Sequence, residues 1–325
     1  MKNQINYRES KTKRICLPME NVAIIMCTYN GEKYIAEQIE SIMNNTYKDF
    51  VLHICDDCSI DKTIAIAEKY REFYPSKIII HENKENMKVV KNFLYWTKAI
   101  DAKYYMFCDQ DDYWKPEKIK KSLDIIKNAE LKAGNNMAIA AFSDAEIVDE
   151  KLDLLYPSFQ KNERLNSEAL SFEQILMENK LLGCSVIFNK STKDYLKDYS
   201  SEIRMHDWWI GLIASAFGKV IYIDEPLLKY RQHGNNAVGS ISLWKYVLQN
   251  VNNLDNQRQM LYAIFKQGSF FLNQYNDLLD KDRVEYLNIF STIEEQSFFM
   301  RKYLFVKNKY RKTGLIKNIG MFLLV

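Results

Sequence analysis

Residues 22–28 (VAIIMCT) are apolar on both faces over the length of a strand, the pattern of a strand buried inside a parallel sheet. Asn30-Gly31 turns the chain, and Ile35, Ile39 and Ile42 then recur at helical spacing. Residues 50–55 (FVLHIC) predict a second strand, and Asp61 stands where a helix carrying Ile66, Tyr70 and Phe73 needs its N-cap. Residues 77–81 predict a third strand, and Val89, Phe93, Trp96 and Ile100 mark the next helix. Residues 104–108 (YYMFC) predict a fourth strand, and Pro116 opens a helix with Ile119, Leu123 and Ile126 on one side. This alternation predicts an α/β fold, with a mostly parallel central sheet flanked by helices on both faces.

From about residue 137 the pattern loosens. Residues 137–143, 184–188 and 219–223 read as further strands and residues 205–217 as a helix. Beyond residue 240 the chain is helical in composition and rich in aromatics. In open sheets of this kind ligands bind beyond the carboxyl ends of the strands. Three of the predicted strands end there in polar groups: Thr28-Tyr29-Asn30, Asp56-Asp57, and the run from Asp109 to Asp112. Their convergence at one sheet edge outweighs any single motif.

Composition narrows the function classes. With 47% hydrophobic residues, 10 Gly and 5 Pro in 325 residues, the chain is of the folded, globular type. A net charge of +3 gives no reason to expect a nucleic-acid partner. No apolar run approaches the roughly 18 residues of a spanning helix, and the polar first ten residues lack the apolar stretch of a signal peptide. The expected setting is therefore the cytoplasm, with the six cysteines as thiols. Cys55 and Cys58 form a CxxC, but there is no second pair to complete a zinc site, and Asp56 and Asp57 oppose thiolate formation between them.

The acidic stretch FCDQDDYW at 107–114 raises the question of what positive charge meets Asp109, Asp111 and Asp112. In an extended chain residues two apart point the same way, so Asp109 and Asp111 are expected to aim at one point. Hard divalent cations take one or two carboxylates together with substrate phosphate oxygens; a solvated acidic turn capping the Pro116 helix is the plainer alternative. An EF-hand is excluded, because its sixth and twelfth loop positions are Trp114 and Lys120. Asp207 in MHDWW is a helix N-cap or a general base, and Trp208 and Trp209 beside it are a sugar-stacking floor or core. In the loop YRQHGNN, Arg231 is placed to pair with phosphate and His233 to ligate a metal or donate to a diphosphate. Paired carboxylates also serve metal-dependent nucleotidyl transfer and diphosphate hydrolysis.

Taken together, VAIIMCTYNGEKYIAEQIESI, the DD-x-S-x-D-K-T at 56–63 and FCDQDDYWKPEKI resemble the nucleotide-binding half of family 2 glycosyltransferases of the GT-A fold. HDWW and YIDEPLLKYRQHGNN are similar to the bacterial rhamnosyltransferase branch, which builds cell-wall and surface polysaccharides from dTDP-L-rhamnose. The resemblance covers roughly residues 20–240 and implies a Rossmann-like sheet with a C-terminal helical extension. It divides the chain into an arm (1–20), a catalytic domain (nucleotide half 21–128, acceptor half 129–239) and a helical, basic region (240–325).

It also implies roles. Thr28, Tyr29, Asn30, Asp57, Asp109, Gln110 and Arg231 would bind a dTDP- or UDP-sugar. Asp109, Asp111 and His233 would hold Mg²⁺ or Mn²⁺. Asp207 would be the base of an inverting displacement, with His206, Trp208 and Trp209 toward the acceptor. In one place the chain departs from the family pattern. Cys58 stands where Gly usually follows the paired aspartates, and Cys tolerates positive φ poorly, which puts the aim of Asp57 in question. Finally, residues 301–325 carry seven cations, no acid and a closing MFLLV. This suits an anionic membrane surface at the inner face of the plasma membrane, where a lipid-linked glycan acceptor would lie, or else a partner chain, including a second copy.

Overall fold

The computed structural model describes residues 20–133, 136–233 and 254–325. The N-terminal arm, the Gly234-Asn235-Asn236 end of the polar loop and the expected boundary near residue 240 lie outside them. The strands are β1 (Glu20–Thr28), β2 (Phe50–Asp56), β3 (Ile78–Glu82), β4 (Ala102–Asp109), β5 (Tyr113–Trp114), β6 (Ala138–Val148), β7 (Leu154–Tyr156), β8 (Val186–Asn189) and β9 (Gly218–Arg231). They form one sheet in the order β3-β2-β1-β4-β8-β6-β9-β5, with β7 added to β6. Strands β3, β2, β1 and β4 are all parallel, as expected. Past β4 the sheet is mixed: β8 runs antiparallel to both neighbours, β9 is parallel to β6, and β5 closes the edge antiparallel to β9.

Helices α1 (Ile35–Met43), α2 (Thr63–Phe73), α3 (Lys88–Ala99) and α4 (Lys118–Ala133) follow the first strands. Their apolar stripes do the expected work: Ile35, Ile39, Ile42, Ile119, Leu123 and Ile126 are fully or almost fully buried against the sheet. Phe73 departs from the pattern and lies exposed at the end of α2. Asp61 caps α2 from one residue further out than expected, its Oδ1 accepting from the backbone N–H of Thr63 at 2.9 Å. Strand β9 runs far beyond residues 219–223 and reaches Arg231 through register shifts opposite Asp144 and Glu146. That extension delivers residues 230–233 to the acidic turn after β4.

The second half adds the short helices α5 (Phe159–Asn162), α6 (Phe172–Met177) and α7 (Lys190–Asp194), and the apolar α8 (His206–Phe217). The C-terminal region folds into α9 (Leu254–Tyr275), α10 (Lys281–Ser291), α11 (Phe298–Lys307) and α12 (Leu315–Leu324). It is not an appended tail. Phe265, Phe271, Tyr275, Phe290, Phe305, Tyr310 and Met321 enter the same hydrophobic cluster as Trp209 and Phe172.

Candidate active site

A cleft of about 450 Å³ opens at the carboxyl ends of β1, β2 and β4. Thr28, Tyr29, Asp57, Asp109, Gln110 and Asp111 line it, joined by Asn86, Lys88, Asn92, Phe93 and Tyr230. Thr28 is buried and donates from Oγ1 to Asp56 Oδ1 at 2.8 Å. Tyr29 is half exposed on the rim. Gln110 holds it there: its Oε1 accepts from Tyr29 N–H (2.9 Å) and its Nε2 donates to Tyr29 C=O (3.1 Å). Gly31 permits this approach, since a Cβ there would sit 2.2 Å from Gln110 Oε1. Gln110 thus clamps the Tyr29 backbone while its side chain lines the cleft. Asn30 is likewise a tie between loops, donating to Ser59 Oγ and accepting from Ile60 N–H, at φ +49°, a conformation Asn tolerates.

Asp57 caps α3 from across the cleft. Its carboxylate accepts from Asn83 Nδ2 (2.8 Å) and from the N–H groups of Met87 (2.7 Å) and Lys88 (2.8 Å), the last two at a helix start that has no intrahelical acceptor for them. A carboxylate has about four acceptor positions, so one stays available. The Gly-to-Cys departure is settled by the backbone: Cys58 adopts φ +68°, so the glycine-type turn is kept in spite of its strain. The Cys55 thiol is pushed up by burial, and that of Cys58 by burial and by Asp57 and Asp56, which agrees with unreactive thiols.

The acidic stretch does not continue as a strand. β4 ends at Asp109 and the next residues turn, so Asp109 and Asp111 do not alternate along one extended face. Asp111 faces His233, with Oδ2 and Nε2 2.7 Å apart. Asp109 and Asp112 lie instead with Cys184, ligand-type atoms within 4.8 Å of one another. Burial, then the charges of Asp111 and Asp207, push Asp109 up to about 7. Asp112 is fully buried and is pushed well up by burial and by both neighbours. Lys118 is buried nearby over the Trp114 ring, its own ammonium lowered to about 8 by burial. Asp109 and Asp111 line the cleft and His233 lies against Asp111, so carboxylate and imidazole groups of the kind that ligate a divalent cation stand at its edge.

Arg231 does not face that mouth. Its side chain is 2% exposed. Nε donates to Asp111 C=O at 2.7 Å, and the two terminal nitrogens reach Glu150 C=O and the Glu37 carboxylate. Its backbone N–H donates to Asp112 Oδ1 at 3.2 Å. The expected phosphate ligand is therefore a buried pin of the acidic turn. Tyr34 completes the arrangement, under the guanidinium at 4.7 Å and stacked on His233 at 5.0 Å. Sequence reasoning misses Tyr34, Glu37 and Glu150, because the start of α1 and the turn after β6, far apart in the chain, supply them.

Asp207 sits in the first turn of α8, with Met205 in the cap position, so it is not the N-cap itself. It is buried; Asn179 Nδ2 donates to Oδ2 at 3.1 Å and Trp208 N–H to Oδ1 at 2.7 Å. Burial outweighs these bonds and raises it to about 6. A carboxylate poised there is ionised at neutral pH yet basic enough to take a proton from a hydroxyl. Asn179, missed in the sequence, carries no local motif. The neighbouring rings belong to the core. Trp208 is 6% and Trp209 2% exposed; the first donates to Ile175 C=O and the second packs on Phe270, Phe271 and Tyr275. His206 stacks on Phe93 at 3.9 Å with both ring nitrogens unpartnered among the described residues, and burial lowers it to about 3. None of the three presents a face to an acceptor, because the apolar run of α8 buries every turn of that helix.

Comparison with known proteins agrees with this architecture. Residues 23–170 match the family described as Glycosyl transferase family 2. The dTDP-rhamnosyl transferase RfbG of Shigella flexneri is 32% identical over 227 residues, 66% of this chain and 74% of that protein. An uncharacterized glycosyltransferase of Rickettsia typhi is 25% identical over 87% of this chain and 92% of its own length. Among solved structures, S. aureus TarS 1–349 in complex with UDP-GlcNAc aligns with a TM-score of 0.54 at 17% identity, over 93% of this chain and 90% of that one. The mannosyltransferase PcManGT of Pyrobaculum calidifontis, in complex with GDP-Man and Mn²⁺, gives 0.52 at 13% identity, over 94% and 87%. The strand order, the cleft at the sheet edge and these relatives lead to one assignment: the chain belongs to glycosyl transferase family 2 and has the GT-A fold.

Proposed function

We propose that the protein transfers L-rhamnose from dTDP-L-rhamnose to a hydroxyl of a growing cell-surface polysaccharide or lipid-linked glycan, with inversion at the anomeric carbon. One observation carries the mechanism. Asp207, a buried carboxylate raised toward neutrality, lies behind the residues that line the donor cleft and close enough to Asp109 for its charge to be felt there, so a proton acceptor stands near the leaving-group site. Thr28 and Tyr29 line the nucleotide, and the remaining acceptor position of Asp57 takes a base N–H. Asp111 and His233, with Asp109, would hold Mg²⁺ or Mn²⁺. That ion, when bound, supplies positive charge that stabilises the departing diphosphate. Asp207 removes the proton from the acceptor hydroxyl, whose oxygen attacks the anomeric carbon opposite the diphosphate. No covalent sugar–protein intermediate is needed. The sugar itself rests on the name of the Shigella flexneri relative. A UDP-hexose donor is the second reading, favoured by the UDP-GlcNAc complex of the S. aureus neighbour. A donor panel followed by nucleoside diphosphate release separates the two.

The donor site is tested by calorimetry on Asp111→Asn. With Mn²⁺ present, affinity for dTDP-L-rhamnose is expected to fall at least tenfold. In chelator, wild type and variant should bind equally weakly. Equal affinity with the metal present removes Asp111 from the site.

Peripheral attachment to an anionic membrane completes the reading. No helix among the described residues is long and apolar enough to cross a bilayer. Helices α11 and α12 nevertheless expose Phe299 (82%), Leu315 (75%) and Leu323 (70%). The Lys302 ammonium lies 5.0 Å from the Phe298 ring centre and 4.9 Å from that of Phe322. An apolar face with a basic border suits a headgroup layer. Deleting residues 301–325 is a poor test, because Phe305, Tyr310 and Met321 belong to the core. Phe299→Ser with Leu323→Ser leaves the core intact and is expected to reduce co-sedimentation with phosphatidylglycerol vesicles at least tenfold. Unchanged sedimentation would remove the membrane face.

A further inference from the structure

A second cavity, of about 530 Å³, lies away from the donor cleft, between residues 166–180 of the catalytic half and residues 308–314 linking α11 to α12. Lys180, Lys309, Arg311 and Lys312 line it, against the single carboxylate of Glu173. Thr313 fastens the two walls: its hydroxyl accepts from Asn166 N–H at 3.1 Å and from the Lys180 ammonium. Beneath lies Glu178, whose single charge is already shared by Lys180 (2.5 Å) and Lys317 (2.8 Å) and which also accepts from the Thr313 N–H (2.8 Å). Burial would raise this carboxyl, but Lys180 and Lys317 hold it down at about 2. Glu178 therefore has little left to offer the remaining cations. The side chains of Lys309, Arg311 and Lys312 make no hydrogen bond or ion pair among the described residues. Arg204, close enough to act on Lys312, has a buried Nε without a partner. Burial is the main cause that pushes the Lys312 ammonium down to about 8; Glu178 opposes it, and Lys317, Arg204 and Lys180 add to it. Cations are thus gathered with too few anions, around a space large enough for a ligand.

We infer that this cavity binds a phosphate ester anion, through Arg311 and Lys312 with Lys309 and Lys180 at its sides. Guanidinium and ammonium groups converging on one space suit a multiply charged oxyanion better than a carboxylate. The inference deepens the proposed function and rests on it for the ligand's source. Lys180 directly follows Asn179, the residue that holds Asp207, so the cavity adjoins the loop that sets the base. The phosphate is that of a lipid-linked or phosphorylated acceptor, or that of a membrane lipid.

Calorimetry of the full chain with inorganic pyrophosphate, without divalent cation or nucleotide, tests it apart from any glycosyl transfer. Wild type is expected to bind, and Arg311→Gln with Lys312→Gln to weaken binding at least tenfold. Donor affinity with Mn²⁺ should stay unchanged in the same variant, showing that it is folded. Lys266→Gln with Lys307→Gln removes the same charge from exposed positions outside the cavity and should leave pyrophosphate affinity as it was. Absent binding, equal affinity in wild type and the cavity variant, or an equal loss in the control variant overturns the inference. Sedimentation with phosphatidylglycerol vesicles then assigns the source. A parallel loss in the cavity variant points to the lipid headgroup, and retained sedimentation beside lost pyrophosphate binding to the acceptor's phosphate.

Discussion

Replacing Asp207 by Asn is expected to lower kcat by about 10²- to 10⁴-fold, the usual contribution of a positioned general base. KM for the donor should hardly move, because Asp207 lies outside the residues that line the donor cleft. The pH profile gives a second readout. The base must be ionised to work, so wild-type turnover should fall as pH drops through about 6, where burial places this carboxyl. The variant should lose that limb. Stability should move the other way. The folded-state value lies above the ordinary 3.8, so the folded protein holds the proton more tightly than the unfolded chain. Ionising Asp207 therefore costs stability as pH rises between about 4 and 6. At about 1.4 kcal/mol per pH unit, the cost is roughly 3 kcal/mol and stays constant above that window. Asn carries no charge to desolvate, so above pH 6 the variant should melt no lower than wild type. An Asp207→Asn protein that turns over normally sinks the assignment of the base, whatever its stability.

Arg231→Ala should destabilise the fold by about 3 kcal/mol, within the range for removing one member of a buried charged network. The loss includes hydrogen bonds to Asp111 C=O and Glu150 C=O, both left without their partner, and the packing of the guanidinium over Tyr34. The Glu37 contribution is smaller, because that carboxylate is 46% exposed and screened by water. Metal-dependent donor affinity should fall with it, since the acidic turn loses its anchor. Arg231→Lys should not restore either property, as an ammonium cannot span three acceptors in one plane. A direct phosphate ligand predicts the opposite division: weaker donor binding in a protein that melts normally. Chemical denaturation beside donor calorimetry distinguishes the two.

The assignments of Trp208, Trp209 and Arg231 show why residue type at a motif position is a weak guide to exposure. An indole beside a candidate base suits a sugar face and a helix core equally well in one dimension. Residues 206–216 are almost wholly buried, because α8 packs on β6 and β9 of the sheet and on α3, α6 and α7, with α9 covering Trp209. Residues remote in the chain therefore decide the role of those rings: Ile175, earlier, for Trp208, and Phe270, Phe271 and Tyr275, later, for Trp209. Arg231 turns inward because β9 runs on past its expected end, bringing the guanidinium beneath a turn 120 residues earlier.

By itself the sequence determined the parallel half of the sheet, its flanking helices and the edge at which polar groups collect. Those features follow from local periodicity and from the rule that parallel strands deliver their carboxyl ends to one side. The family resemblance implied that Asp111 and His233 lie together, and the fold brings them to 2.7 Å of one another. Only the tertiary structure decided which charges are open and which are buried as supports. That depends on burial and on partners remote in the chain, as with Asn179 beside Asp207, Asp57 capping α3, and the C-terminal helices closing the core over α8. Desolvation is a property of the packed surroundings, so no pattern of neighbours along the chain reveals which aspartate is held near neutrality.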